Sequence, residues 1–139
     1  MASGNGSLKE VDRVEITTVL DNFIDVLLPG SETVKRVSLG ANWVTKKTLI
    51  AEHGFAAIVK VSAGNSGDSI LFDAGLSKNG LTHNLDVLDG RPKEFHAIVL
   101  SHGHADHTRG LMGLVERLSP RKMPLLLHPD ALLERKVIF

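Results

Sequence analysis

The sequence contains no cysteine, no excess of charge of either sign and no long apolar run. Without cysteine there is no disulfide, no thiolate metal site and no cysteine nucleophile. The 16 basic and 16 acidic residues cancel, so we expect neither a nucleic-acid surface, which usually carries a basic field, nor an anionic membrane partner. No apolar run approaches the roughly 20 residues that span a bilayer. Because the polar start at residues 1–7 is unlike a signal peptide, we expect a cytoplasmic protein.

The length and the composition of the chain fit one globular domain. A length of 139 residues with 42% apolar and 23% charged residues is typical of a single globular domain. The small and polar residues at the start predict a flexible tail over residues 1–9. We therefore expect one folded domain over residues 10–139.

The first half of the chain predicts antiparallel strands. Alternating apolar residues predict a half-buried strand over residues 14–20. Apolar segments at 55–62 and 69–72 flank a turn signal at 64–68 and predict a hairpin. Residues 23–50 show no clear period, so we expect an irregular excursion there, with at most a short strand near 34–39. The only tryptophan, Trp43, lies in this excursion and has either a core or a pocket role.

The second half predicts two consecutive β-α-β units, so the fold class is α/β with a mixed sheet. Apolar spacing predicts helices at 80–88 and 108–118, buried strands at 97–100 and 125–127, and a helix over 129–135. Such crossovers place neighbouring strands parallel. The residues that follow the strands should therefore meet at the sheet edge where α/β proteins bind ligands, namely Asp73, Ser101, His102 and His128.

Residues 101–107 read Ser-His-Gly-His-Ala-Asp-His, between a predicted strand and a predicted helix. Imidazole and carboxylate groups suit Zn²⁺, Fe or Mn²⁺. On a tight loop His102 and His104 can reach one ion at roughly 2.0–2.1 Å. Asp106 and His107 lie where a second ion can sit about 3.5–4 Å from the first. The alternative is a polar loop that is rich in histidine by chance, which this composition gives on the order of once in a thousand chains.

The motif His102-x-His104-x-Asp106-His107, preceded by Ile-Val-Leu-Ser, resembles the metallo-β-lactamase superfamily. Segments 18–22, 70–75 and 127–131 resemble one branch of it, the dihydropterin/ribofuranosyl-aminobenzene-phosphate-synthase-like proteins. The resemblance covers residues 14–135 and implies the N-terminal half of an αββα sandwich. It implies two Zn²⁺ ions, the first on His102 and His104 and the second on Asp106 and His107. It also implies that Asp73 braces the ligand loop.

Two features depart from the family pattern. Arg109 stands where the pattern has one of two glycines after the motif. Complete members also carry a histidine, an acidic bridging residue and a final histidine further downstream, and these are not found in the 139 residues. The resemblance therefore implies a domain whose C-terminal half is absent, which holds Zn²⁺ substoichiometrically by itself.

Several other residues have two alternative roles. Arg109 either binds a substrate phosphate or carboxylate or is a solvated surface residue. His128 either contributes to the site, as a ligand or substrate contact, or is merely the residue before a helix. His53, His83 and His96 are interpreted as structural or surface residues. Two of them, His53 and His96, precede their strands and should lie at the opposite edge of the sheet.

Three functions are compatible with these residues. The first is a metal-dependent hydrolase in which an activated water, held by Asp106, attacks an ester, amide or phosphoester of a small anionic substrate. The second is a pterin-related transferase or synthase on the same scaffold. The third is a non-catalytic half-domain that binds metal weakly. We expect the isolated chain to have little or no activity and either to self-associate or to require a complementing C-terminal chain.

Overall fold

The computed structural model describes residues 8–37, 47–89, 95–118, 122–134 and 136. Trp43 and most of the expected N-terminal tail lie outside the described residues. Five strands form one sheet in the order β1-β2-β3-β4-β5. The strands are β1 Arg13–Leu20, β2 Ala56–Ala63, β3 Ser66–Phe72, β4 Ala97–Val99 and β5 Leu125–Leu126. The helices are α1 Gly80–Val87, α2 Ala105–Thr108 and α3 Leu111–Leu118, followed by a 3-10 helix at Pro129–Leu132.

The sheet is mixed, as predicted. Strands β1, β2 and β3 are antiparallel neighbours, whereas β3, β4 and β5 are parallel. The predicted hairpin is confirmed, and its turn at Gly64 and Asn65 places the glycine at a φ of +55°, in the left-handed region that tight hairpin turns require. Because β2 runs against β3, the amino end of β2 lies beside the carboxyl ends of β3, β4 and β5. Segments from both halves of the chain therefore meet at one edge.

Helices α1 and α3 cover one face of the sheet and form the core with it. Every strand and helix from β1 to α3 except α2 contributes to this core, and the start of β3 is exposed. The buried apolar residues of the core are Val19, Leu20, Ala56, Leu71, Ala74, Leu81, Leu85, Phe95, Ile98, Leu100, Leu114 and Leu118. This pairing of a helix layer with a sheet corresponds to two of the four layers of an αββα sandwich. Among the described residues no helix is long and apolar enough to cross a membrane.

The buried amide of Asn84 connects α1 to two other segments. Its Nδ2 donates to the carbonyl oxygens of Val19 at 2.7 Å and Ile50 at 2.8 Å. Its Oδ1 accepts from the Ile50 N–H at 2.9 Å. The carbonyl oxygen and the amide nitrogen of this side chain are thus both hydrogen-bonded, which offsets the cost of burying them. The end of the irregular excursion is therefore held against the core by α1.

The opposite face of the sheet is only partly covered by the described residues. In β1, Val14 and Ile16 are 54% and 68% exposed, and they pair with Val61 and Val59 of β2. The expectation of a half-buried β1 is therefore wrong for most of its length, because only its last two residues, Val19 and Leu20, are buried. The expectation that β4 is buried on both faces is also wrong, since only Ile98 of its three residues is fully buried.

Three predicted elements differ from the observed ones. The helix expected over 108–118 is two helices, because the chain turns at Gly110, whose N–H donates to the Gly75 carbonyl at 3.2 Å. Strand β5 is an edge strand with Leu125 and Leu126 46% and 52% exposed, so it is not buried. The helix expected over 129–135 is the 3-10 helix that ends at Leu132. Residues 34–37 form no strand, and residues 38 and 39 lie outside the described residues.

Candidate metal centre

The candidate centre lies at the sheet edge where β3 and β4 end. Asp73 follows β3 and Ser101 follows β4, and the two are joined directly by hydrogen bonds. The loop from Ser101 to His104 then leads into α2, and Ala131 of the 3-10 helix packs against Gly103. An added Cβ at Gly103 would clash with the main chain of Ala131. Because glycine has no side chain, the loop can pack closely against the 3-10 helix at this position.

The buried side chain of Asp73 holds the loop in place through hydrogen bonds. Its side chain is 1% exposed, and its φ of +58° lies in the left-handed region that Asp tolerates better than most residues. Its Oδ1 accepts from the Ser101 N–H at 2.8 Å. Its Oδ2 accepts from the Ser101 hydroxyl at 2.7 Å and is 2.8 Å from His107 Nδ1. Because a carboxylate only accepts, Nδ1 of His107 carries the proton, which leaves Nε2 as the lone-pair nitrogen.

The first pair of donor atoms comes from His102 and His104. Nε2 of His102 lies 2.9 Å from Nδ1 of His104, and the other nitrogen of His102, Nδ1, lies 2.8 Å from the Ser101 hydroxyl. Two nitrogen ligands of one tetrahedral Zn²⁺ ion, each at about 2.0–2.1 Å, would be roughly 3.3–3.4 Å apart. The observed pair therefore needs to open by only a few tenths of an ångström to hold an ion.

The second pair comes from Asp106 and His107 on α2. Oδ2 of Asp106 lies 3.5 Å from Nε2 of His107, the nitrogen that Asp73 leaves available. The rings of His102 and His107 are 4.3 Å apart between centroids, so the two donor pairs are adjacent. The structure thus brings together all four residues of the motif.

The donor types fit a divalent metal, but the number of donors is small. No group of three or more His, Asp or Glu side chains in the part of the chain that the structure describes is arranged to hold a metal ion. Each pair contributes two donors, whereas catalytic Zn²⁺ sites have three protein ligands and structural sites have four. Further donors would therefore be needed to complete either site.

His53 also lies at this edge, and the prediction that it lies at the opposite edge is wrong. Its Nε2 is 3.3 Å from Oδ2 of Asp106. The residue does precede a strand, but β2 is antiparallel to β3, so its start lies where the parallel strands end. The hairpin predicted from residues 55–72 already contained this signal.

The remaining candidates lie around the pairs rather than between them. Arg109 is exposed and lines a shallow groove together with His104, Asp106, Thr108 and Leu133. His128 is exposed, and its Nδ1 accepts from the Asp130 N–H at 3.3 Å, which caps the 3-10 helix. His96 pairs with Asp68 at the far end of the sheet.

Comparison with known proteins agrees with the motif. A model of the metallo-beta-lactamase superfamily matches residues 52–135. The chain is 31% identical over 80 residues to the 7,8-dihydropterin-6-methyl-4-(beta-D-ribofuranosyl)-aminobenzene-5'-phosphate synthase of Methanocaldococcus jannaschii, covering 58% of this chain and 27% of that protein. It is 38% identical over 90 residues to an uncharacterised protein of the same archaeon, covering 64% of this chain and 32% of that protein.

Two solved structures are also similar. The Rm3 metallo-beta-lactamase aligns at 30% identity with a TM-score of 0.37, over 50% of this chain and 25% of that one. A metallo-beta-lactamase with a HARLDQ motif from Cronobacter sakazakii aligns at 26% identity with a TM-score of 0.33, over 43% and 22%. The chain spans about a quarter to a third of the length of the curated relatives it matches. Because the family match covers more than half of the chain, the protein belongs to the metallo-beta-lactamase superfamily.

Proposed function

We propose that this chain supplies the metal-binding loop of a metal-dependent hydrolase, with His102 and His104 holding one ion and Asp106 and His107 a second. The observation that carries the proposal is the orientation of the rings. Asp73 engages Nδ1 of His107, so that Nε2 faces Asp106. A carboxylate behind a histidine ligand, which fixes its tautomer and ring orientation, is the usual arrangement at metal sites.

The chemistry of the donors favours Zn²⁺, with Fe or Mn²⁺ as alternatives. When bound, such an ion supplies a Lewis acid that activates water near neutral pH and stabilises negative charge on an attacked carbonyl or phosphoryl oxygen. The Asp106 carboxylate would accept a hydrogen bond from the attacking water. Arg109, at the rim of the groove, is placed to bind a phosphate or carboxylate of a small anionic substrate. His128, which is also exposed, is a second candidate for the same role.

A second candidate function is a pterin-related synthase or transferase. It is favoured by the 31% identity to a relative that bears the name of a dihydropterin-linked aminobenzene-phosphate synthase. The same four donor residues would serve either function, because the metal loop does not determine which bond of the substrate is broken. The two functions are separated by assaying the metal-loaded chain against phosphoesters, lactones and pterin precursors.

The metal proposal is tested by titrating the purified chain with Zn²⁺ and replacing His104 by Ala. We expect the unsubstituted chain to bind Zn²⁺ substoichiometrically, or to lose it to a mild chelator, because each pair has two donors. The variant His104→Ala should abolish binding by the first pair and so lower the amount of Zn²⁺ bound, with little loss of stability, since the residue is exposed.

The matched control is His96→Ala, which removes an exposed histidine at the far end of the sheet. It should bind Zn²⁺ as the unsubstituted chain does. If His104→Ala bound as much Zn²⁺ as the unsubstituted chain, His104 would not be a metal ligand. Tight retention of two ions per chain would instead contradict the expected weak binding and imply that further ligands come from elsewhere.

A further inference from the structure

We propose that His53 is a positioning residue for the second metal pair: its Nε2–H donates to Oδ2 of Asp106 and holds this carboxylate in place for the ion. The inference rests on the proposed metal function and extends it to a residue outside the motif. Nε2 of His53 is 3.3 Å from Oδ2 of Asp106, and the same oxygen is 3.5 Å from His107 Nε2. One carboxylate oxygen thus lies between two imidazole nitrogens.

The main chain next to His53 holds Asp106 at a second point. The Phe55 N–H donates to the Asp106 carbonyl oxygen at 3.3 Å. Between these two contacts lies Gly54, whose φ of +133° is disfavoured for other residues. An added Cβ at Gly54 would clash with the Asp106 carbonyl oxygen. The segment 53–55 therefore approaches Asp106 closely and contacts both its side chain and its backbone.

This segment is itself firmly anchored. Oε1 of Glu52 accepts from the Leu76 N–H at 2.9 Å and from the Ser77 N–H at 3.0 Å. The Glu52 N–H donates to the Asp21 carbonyl, and the Phe55 carbonyl accepts from the Gly75 N–H at 3.0 Å. His53 therefore projects from a backbone that is fixed on both sides.

Packing does not explain the position of the His53 ring, because its side chain is 79% exposed. His83, by comparison, has its Nε2 2.7 Å from a main-chain oxygen, that of Thr48. The His53 ring instead contacts Asp106, a residue of the metal motif. A carboxylate ligand is usually hydrogen-bonded by a neighbouring group that orients it.

The second pair is thus oriented from two strands. Asp73, at the end of β3, orients His107, and His53, before the start of β2, orients Asp106. The hairpin of β2 and β3 brings both supports to the same edge of the sheet. Loss of an orienting hydrogen bond of this kind typically lowers metal affinity about 10–100-fold without changing the ligands themselves.

The experiment is a Co²⁺ titration of the purified chain, followed by electronic absorption, with the variants His53→Ala, His53→Gln and the control His83→Ala. We expect His53→Ala to bind Co²⁺ about 10–100-fold more weakly. Its absorption bands at saturation should keep their positions, because the ligand set is unchanged. The amide of His53→Gln can donate the same hydrogen bond, so it should restore most of the affinity. His83→Ala should bind like the unsubstituted chain.

Different results overturn different parts of the reasoning. Absence of Co²⁺ binding by the unsubstituted chain would overturn both the proposed function and this inference. Binding that is weakened in His104→Ala but unchanged in His53→Ala would overturn the inference alone. Shifted absorption bands in His53→Ala would show that the histidine is itself a ligand, and failure of His53→Gln to recover affinity would rule out the hydrogen bond to Asp106.

Discussion

Replacement of Asp73 by Asn tests the support of the metal loop most directly. The substitution keeps the size of the side chain, and Asn also tolerates the left-handed backbone at this position, where φ is +58°. It changes the hydrogen-bonding capacity and removes the negative charge of the carboxylate. The carboxylate accepts from the Ser101 N–H, the Ser101 hydroxyl and His107 Nδ1, whereas an amide has one accepting oxygen and one donating nitrogen.

Either orientation of the new amide leaves a conflict. With its oxygen toward the Ser101 N–H, its nitrogen faces His107 Nδ1, which must then give up its proton and become an acceptor. The proton moves to Nε2, and a protonated Nε2 cannot bind a metal ion. With its nitrogen toward the Ser101 N–H, two donors face each other in a buried position. We expect a loss of about 1–3 kcal/mol in the free energy of unfolding and a fall in metal affinity of about 10–100-fold.

The assays are urea unfolding and Zn²⁺ competition with a chromophoric chelator. With a slope of roughly 1–3 kcal/mol per molar urea, a loss of about 2 kcal/mol lowers the unfolding midpoint by roughly 1 M. The matched control is Asp68→Asn, which alters an exposed Asp–His pair at the far end of the sheet and should change stability by less than about 0.5 kcal/mol. If Asp73→Asn behaved like this control in both assays, Asp73 would not orient His107.

Three further substitutions give independent predictions. Arg117→Ala should lower stability by about 0.5–1 kcal/mol in urea unfolding near neutral pH, because the exposed ion pair of Arg117 with Asp86 at 2.7 Å is lost. The hydrogen bond from Arg117 lowers the pKa of the Asp86 carboxyl below its ordinary value of 3.8, so the ion-pair part of the deficit is complete above the unfolded pKa and disappears as the pH falls through the folded one. The part that comes from the hydrogen bond of Arg117 Nη1 to the Thr82 carbonyl at 3.0 Å remains in acid, so a deficit that did not change with pH would refute the assignment. Gly113→Ala should destabilise the domain by more than about 1 kcal/mol in urea unfolding, because the added Cβ would clash with the Lys78 carbonyl oxygen. Overpacking of this kind typically costs about 1–3 kcal/mol. The chain should self-associate, as measured by light scattering, because its net charge is zero and the apolar face around Ile16 is exposed. The variant Ile16→Lys should reduce the associated fraction. A monodisperse 15.0 kDa monomer for the unsubstituted chain would contradict this.

The order of the parallel strands and the position of the motif were predictable because both are local in sequence. A buried apolar run followed by Ser-His-Gly-His-Ala-Asp-His indicates a strand that ends at a polar loop, and the parallel pairing of the strands joined by a β-α-β unit then places Asp73 beside Ser101. Burial of β1 and β5 was not predictable in this way. Their apolar residues are suited to a covered face, but whether Val14, Ile16 or Leu126 is covered depends on what packs there, which the residues of the strand do not encode.

The donor types, their spacing and the family could be read from the amino-acid sequence alone, because these depend on residue identity over a few positions. Which nitrogen of His102 and of His107 faces the site depends instead on contacts made in the folded chain, because Ser101 engages Nδ1 of His102 and Asp73 engages Nδ1 of His107. The place of His53 also depends on the folded chain. A residue that precedes a strand lies at one edge of a parallel sheet, but at the other edge when its strand is antiparallel to the neighbouring strand. Which case applies is set by pairing between strands that are distant from the motif in sequence.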